Sequence, residues 1–163
     1  MTRRRLLTAA GAAVAGLAAW RWWPGGSADA KTFEVTRPDD EWRKRLSTEQ
    51  YRVLRRHGTE RPFTSPLDNE KRKGVFACAG CDLDLFASET KFDSGTGWPS
   101  FYALLPNAVG TKTDHLLIVA RTEVHCRRCG GHLGHVFGDG PPPTGKRYCM
   151  NGVAMIFKPA TAA

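Results

Sequence analysis

Five cysteines carry the most readable chemistry in the chain, and four of them form two matched pairs. Cys78-Ala79-Gly80-Cys81 and Cys126-Arg127-Arg128-Cys129 are C-x-x-C knuckles, a spacing that lets one turn offer two sulfurs to the same ion. Four thiolates close a tetrahedral shell around Zn2+ with no position left open, which is structural metal chemistry. Gly80 and the Gly130-Gly131 pair supply the backbone freedom such turns need. The intervening segment is longer than in common zinc ribbons, so the ion would clip together two distant parts of one domain and contribute to folding directly. Two disulfides, or one redox-active C-x-x-C, are the competing use of these residues, and His132 and His135 lie close enough to Cys129 to be rival ligands.

The fifth cysteine, Cys149, stands alone in "GKRYCMNG". A free thiol is either a small buried hydrophobe or a nucleophile. Its neighbours favour the second use. Arg147 lies two residues earlier, on the same face of a regular strand, where a cation lowers a thiol's pKa. Asn151 follows two residues later with an amide that can orient water or a polar substrate. Upstream, "GGHLGHVFGDG" offers His132 and His135, and "SGTGWPSF" holds Trp98 between Gly97 and Pro99. Judged alone, that tryptophan is as much core filler as pocket wall.

The elements that must position these residues divide into two parts. Pro38 followed by Asp39, Asp40 and Glu41 reads as a helix start, with Trp42 and Leu46 on one face. Ser47 with Gln50 three residues on is a capping-box pattern, and Gly58 suits the end of that second helix. Beyond it, short apolar runs alternate with Gly, Pro, Asn and Asp. The expected strands are 74–78, 83–86, 116–120, 122–125, 136–137, 146–150 and 153–157. No long amphipathic pattern separates them, which predicts an antiparallel β domain behind two small helices rather than an α/β fold.

Together these pieces resemble one family, the type B methionine sulfoxide reductases, which act on methionine-R-sulfoxide. The resemblance runs over about residues 38–158 and is carried by "FDSGTGWPSF", "HLGHVF" and "PTGKRYCMN". It implies a mainly β fold of two antiparallel sheets with short N-terminal helices and a four-cysteine zinc clip at Cys78, Cys81, Cys126 and Cys129. It implies that Cys149 attacks the sulfoxide sulfur, releases methionine and becomes a sulfenic acid. His132 and His135 would bind and activate the leaving oxygen, with Asn151 fixing water and substrate. Trp98 would receive the substrate methyl group, and Phe137 and Arg147 would support the site. The substrates implied are oxidised proteins carrying methionine-R-sulfoxide, so the work is protein repair. Many members carry a second redox cysteine two residues before the pocket tryptophan. Here that position is Thr96, and no cysteine is left over. Recycling then needs an external thiol, a thioredoxin-like protein or a small molecule.

The N-terminus sets the expected compartment. Residues 1–30 join a basic start, an apolar run from Leu6 to Trp20 and an Ala28-Asp29-Ala30 cleavage pattern. Thr2-Arg3-Arg4-Arg5-Leu6-Leu7 resembles a twin-arginine export signal. The run is short for a membrane span, so the expectation is a cleaved leader, transient membrane contact and a periplasmic protein, with an uncleaved anchor as the alternative. A tail at 31–37, the domain at 38–158 and a C-terminal tail at 159–163 complete the organisation. The chain of 163 residues has net charge +8. Without residues 1–30 it holds 20 basic and 15 acidic residues, a net of +5, scattered rather than striped. That distribution, the missing basic stripe with aromatics and the leader argue against a zinc-ribbon module for nucleic acid. A catalytically dead relative is the other alternative, opposed by the full set Trp98, His132, His135, Cys149 and Asn151.

Overall fold

Pro38 and the acids behind it start α1 (Asp39–Arg45), whose last turn carries Arg43, Lys44 and Arg45, so both ends suit the helix dipole. Ser47 then opens α2 (Thr48–Arg56) with the full capping box, its hydroxyl accepting from Gln50 N–H while the Gln50 side chain accepts from Ser47 N–H. Such a cap stabilises a helix by about 1 kcal/mol. The left-handed residue at the end of α2 is His57 (φ 53°), one place before the glycine expected there, and Gly58 N–H bonds back to Arg52 O. The computed structural model describes residues 33–114 and 120–161, all inside the unit Thr32–Ala163. The expected leader falls outside the described residues, as does most of the expected strand 116–120. No helix among the described residues is long and apolar enough to cross a membrane.

The rest is β structure in two antiparallel sheets, as expected. One sheet has the order β2 (Asp84–Ala87), β1 (Gly74–Cys78), β9 (Met155–Pro159). The other runs β3 (Lys91–Phe92), β4 (Ser100–Phe101), β8 (Arg147–Met150), β7 (His132–Phe137), β6 (Arg121–Cys126), β5 (Val109–Asp114). β9 begins later than predicted because Gly152–Ala154 forms a 3-10 turn. β5 escaped prediction because "VGTKTD" shows no apolar alternation, three of its residues being exposed. β3 and β4 are two residues each, too short for any periodic signal.

Helices and sheets share one core. Trp42, Tyr51, Val53 and Leu54 come from the helices, and Phe76, Leu85, Phe86, Phe101, Leu133 and Met150 from the strands. Phe86 stacks on Phe101 with ring centroids 4.3 Å apart, and Phe76 meets Phe101 edge-on at 5.0 Å. Each buried side chain of this size is worth about 1.5–3 kcal/mol of transfer free energy. The segment expected as a tail is partly docked: Val35 N–H donates to Arg128 O at 2.9 Å, and the Phe33 ring meets His125 edge-on.

Candidate active site

Cys78 ends β1 in one sheet and Cys126 ends β6 in the other, so each knuckle leaves a different sheet. Cys78 Sγ lies 3.7 Å from Cys129 Sγ, and Cys81 Sγ 3.5 Å from Cys126 Sγ. All four sulfurs lie within 4.8 Å of one another. A tetrahedral ion with bonds of about 2.3 Å needs sulfurs about 3.8 Å apart, so the quartet fits a zinc-sized ion. These two sulfur pairs join one knuckle to the other, and are far longer than a disulfide bond of about 2.05 Å. The backbone shapes each turn: Asp82 N–H donates to Cys78 O and Gly130 N–H to Cys126 O. His132 and His135, the rival ligands, are bonded elsewhere.

Cys149 sits third in β8, opposite Ser100 of β4 on one side and His135 of β7 on the other. The partly buried thiol lies 3.8 Å from Thr96 Oγ1. Burial pushes the thiol up from its ordinary value, while the Thr96 hydroxyl and the Arg147 charge pull the other way and lose. This corrects the sequence expectation of a lowered thiol: Arg147 acts in the expected direction, but desolvation outweighs it. The Arg147 charge is also shared. It forms a two-pronged ion pair with Asp139 at 2.9 and 2.8 Å and lies over the Phe137 ring, 4.4 Å from its centroid.

A cavity of about 120 Å³ is lined by Cys149, Trp98, His135, Asn151, Phe137, Gly134, Thr59 and Arg121. It admits a side-chain tip, not a drug-sized ligand. A groove of about 1120 Å³ lies elsewhere, between α2, the 61–72 segment and β9; it is larger but holds no cysteine or histidine. Chemistry, not size, identifies the site. Six of the seven residues singled out as catalytic or substrate-binding belong to this cluster: five line the cavity and Arg147 backs Phe137. The seventh, His132, stands behind, its ring 5.5 Å from His135.

Two histidines three residues apart would face opposite sides of a regular strand. A β-bulge solves this. Val124 of β6 pairs with Gly134 and the next residue, His125, with His132, so Leu133 is extra and the two rings come together. At Gly134 a Cβ would run into the Cys149 carbonyl oxygen, so glycine lets β7 and β8 close up beside the thiol.

Carboxylates that the sequence reading did not single out orient both rings. His132 Nδ1 donates to Glu123 Oε1 at 2.8 Å, leaving Nε2 for other work. Glu123 is 2% exposed and also faces Lys112 at 2.9 Å and His57 at 3.2 Å. Burial alone would raise its carboxyl, but hydrogen bonds from His132 and Lys112 prevail and hold it at about 2. His135 Nε2 bonds Asp114 Oδ2 at 2.7 Å, and the same oxygen takes Arg121 at 3.0 Å. Burial pushes His135 below the ordinary imidazole value, and the nearby Arg121 charge adds to this against the pull of Asp114. The available signal was "RTEVHC", an acid inside an apolar strand run, where a charge is buried only with partners.

Trp98 and Asn151 are held by the same distant loop. Trp98 Nε1 donates to Glu60 O at 3.2 Å, and Asn151 Oδ1 accepts from Glu60 N–H at 2.9 Å. Asn151 Nδ2 donates to Leu133 O, which leaves one amide hydrogen for a ligand. Gly97 (φ 85°) turns the chain into Trp98, and a Cβ there would meet Phe63 N at 2.7 Å.

The fold and site thus define a β domain with a four-cysteine metal clip and one separate thiol in a small polar-and-aromatic cavity. A family model described as the SelR domain matches residues 46–159. A protein named "Peptide methionine sulfoxide reductase MsrB" from Agrobacterium fabrum is 54% identical over 132 residues, 80% of this chain and 98% of that protein. One of the same name from Methanosarcina barkeri is 56% identical over 125 residues, 76% of this chain and 88% of that protein. "Peptide methionine sulfoxide reductase B1, chloroplastic" from Arabidopsis thaliana is 55% identical over 118 residues, 72% of this chain and 58% of that protein. The chain belongs to the SelR-domain family of type B methionine sulfoxide reductases.

Proposed function

We propose that this chain reduces peptide-bound methionine-R-sulfoxide to methionine with Cys149 as nucleophile. The observation that carries the reading is the convergence of Cys149, Trp98, His135 and Asn151 on one small cavity in a chain of this family. Trp98 and Phe137 offer an apolar wall to the substrate methyl group. His135 and the remaining Asn151 N–H face the sulfoxide oxygen, and His132, set by Glu123, supports proton delivery behind them.

The Cys149 sulfur attacks the sulfoxide sulfur, and the thiol proton ends on the oxygen. That oxygen leaves the substrate for the cysteine, giving methionine and Cys149 sulfenic acid. The cysteine sulfur is oxidised by two electrons and the substrate sulfur reduced by two. An external thiol then attacks the sulfenic acid, expels water and forms a mixed disulfide. A second thiol releases Cys149. Thr96 occupies the place beside Cys149 Sγ where a resolving sulfur would stand, which supports external recycling. The four knuckle cysteines would hold Zn2+, whose contribution is to tie the two sheets together. The N-terminal sequence supports export, so the donor would be an extracytoplasmic thioredoxin-like protein or small thiol.

The test is turnover of a methionine-R-sulfoxide peptide with dithiothreitol by wild type and Cys149→Ser. Methionine formation by wild type and its loss in the variant are the expected results. Unchanged turnover in Cys149→Ser would remove the assignment.

A further inference from the structure

Asn151 is the N-cap of the 3-10 turn Gly152–Ala154, immediately after the catalytic strand, yet its side chain does not cap that turn. Asparagine at such a position normally accepts from the first free N–H groups itself. Here its amide is turned away, onto Glu60 N–H and Leu133 O. The caps come instead from Glu60, 91 residues away in sequence. One Glu60 carboxylate oxygen accepts from Gly152 N–H and the other from Val153 N–H, the latter at 2.9 Å.

All the polar groups of Glu60 are therefore committed to the walls of the site. Its carbonyl takes Trp98 Nε1, its N–H holds the Asn151 oxygen, and its carboxylate grips the turn behind Asn151. The residue is 8% exposed, buried at the floor of the larger groove that Gly152 and Val153 also line. Gly152 leaves no room for a side chain, since a Cβ there would collide with Ser65 Oγ, so the turn packs closely against Ser65.

We infer that Glu60 is a positioning residue for sulfoxide reduction, a surrogate cap that frees the Asn151 amide for the pocket and fixes Trp98 in register with it. It touches neither Cys149 nor the cavity that holds the thiol. It acts through Asn151 and Trp98, the groups that orient substrate. Two accepting oxygens are needed because each takes one N–H, from Gly152 and from Val153. A glutamine offers one oxygen and sets its NH2 against the second N–H, while an aspartate is too short to reach both.

The inference rests on the reductase reading, so wild-type turnover is measured first, and its absence would defeat that reading rather than this one. Given an active wild type, Glu60→Gln is assayed below its melting temperature for kcat, KM and the rate of Cys149 alkylation by iodoacetamide. Misplaced substrate-orienting groups should cost about 10–100-fold in kcat, with KM changed less than about threefold. Alkylation of Cys149 should stay within about twofold of wild type, because the thiol's own surroundings are untouched. Glu60→Asp should recover only part of kcat. A purely structural tie predicts otherwise: a lower melting temperature with wild-type kcat in the folded variant, and that result overturns the inference. Should Glu60→Gln not fold, Glu60→Asp is judged by the same kcat criterion. Fast hydrogen exchange at Gly152 and Val153 in wild type would also overturn it.

Discussion

In the proposed reaction Cys149 is a nucleophile stored as a thiol. Burial holds its proton on, and the Thr96 hydroxyl and Arg147 guanidinium only soften that effect. A resting thiol of this kind is sheltered from indiscriminate oxidation and alkylation, since the thiolate is the reactive form. Activation in that proposed reaction is left to the substrate, whose polarised sulfoxide would enter against His135 and Asn151. Under the same proposal Thr96 sets the route of recycling. Its Oγ1 stands 3.8 Å from Cys149 Sγ, so it marks a position from which a second sulfur would reach the first. After one equivalent of methionine-R-sulfoxide peptide and then a small thiol, wild-type Cys149 should carry a mixed disulfide. Thr96→Cys should instead form an internal disulfide to Cys149, seen by mass spectrometry as the loss of two hydrogens. A mixed disulfide that persists in Thr96→Cys, or an internal one in wild type, would show that position 96 does not govern recycling.

At the scale of elements, the site is made by an irregularity. The bulge at Leu133 turns His132 and His135 to one side, and Gly134 lets β7 close against β8. Gly134→Ala forces a methyl group into the Cys149 carbonyl and must push β7 and β8 apart. Overpacking of this sort costs about 1–3 kcal/mol, and the shift falls on the strand that carries the thiol. The expected result is a measurable loss of melting temperature together with at least about a tenfold loss of kcat. Normal activity in Gly134→Ala would place the tight approach outside the mechanism. The same feature explains what was legible in the sequence. Caps, knuckles and β1 are encoded within a few neighbouring residues, so α1, α2, the cysteine quartet and Gly74–Cys78 could be read directly. Cys149, Trp98, His135 and Asn151 carried recognisable motifs, and the structure gathers them into one cavity. Glu60, Asp114 and Glu123 serve groups that lie across strands or, for Glu60, 91 residues on; nothing local distinguishes Glu60 and Asp114 from surface acids, and Glu123 is marked only by its place in an apolar strand run. β5 was missed for a related reason, because a polar edge strand is set by its partner β6 rather than by its own pattern.

Across the whole molecule, the two sheets are joined by few covalent paths. β8 passes through the turn at Gly152–Ala154 into β9, which carries the chain from the six-stranded sheet into the three-stranded one. The chain makes the opposite passage from β2 through the turn at Ser88–Thr90 into β3. With a metal ion bound, the cysteine quartet would add a third tie, because Cys78 leaves β1 and Cys126 leaves β6. Two of these bear on the site: the first passage begins at β8, which carries Cys149, and the quartet stands at the end of β6, the partner of the histidine strand β7. A metal ion there would hold the sheets at one spacing and so hold the bulge that presents His135 to Cys149. It would also relieve the crowding of four thiols within 4.8 Å, since a bound cation deprotonates its sulfur ligands. Structural zinc in small sites contributes about 10–16 kcal/mol of apparent binding free energy, comparable with the whole stability of a domain. Metal analysis of the purified protein should therefore give one zinc per chain, and Cys81→Ser should lose it. Stripping the metal with a chelator under reducing conditions should lower the melting temperature by well over about 10 °C and abolish turnover in parallel. Restored zinc should restore both. A metal-free protein that melts and turns over as before would show that the core alone sets the sheet spacing and that the quartet is dispensable.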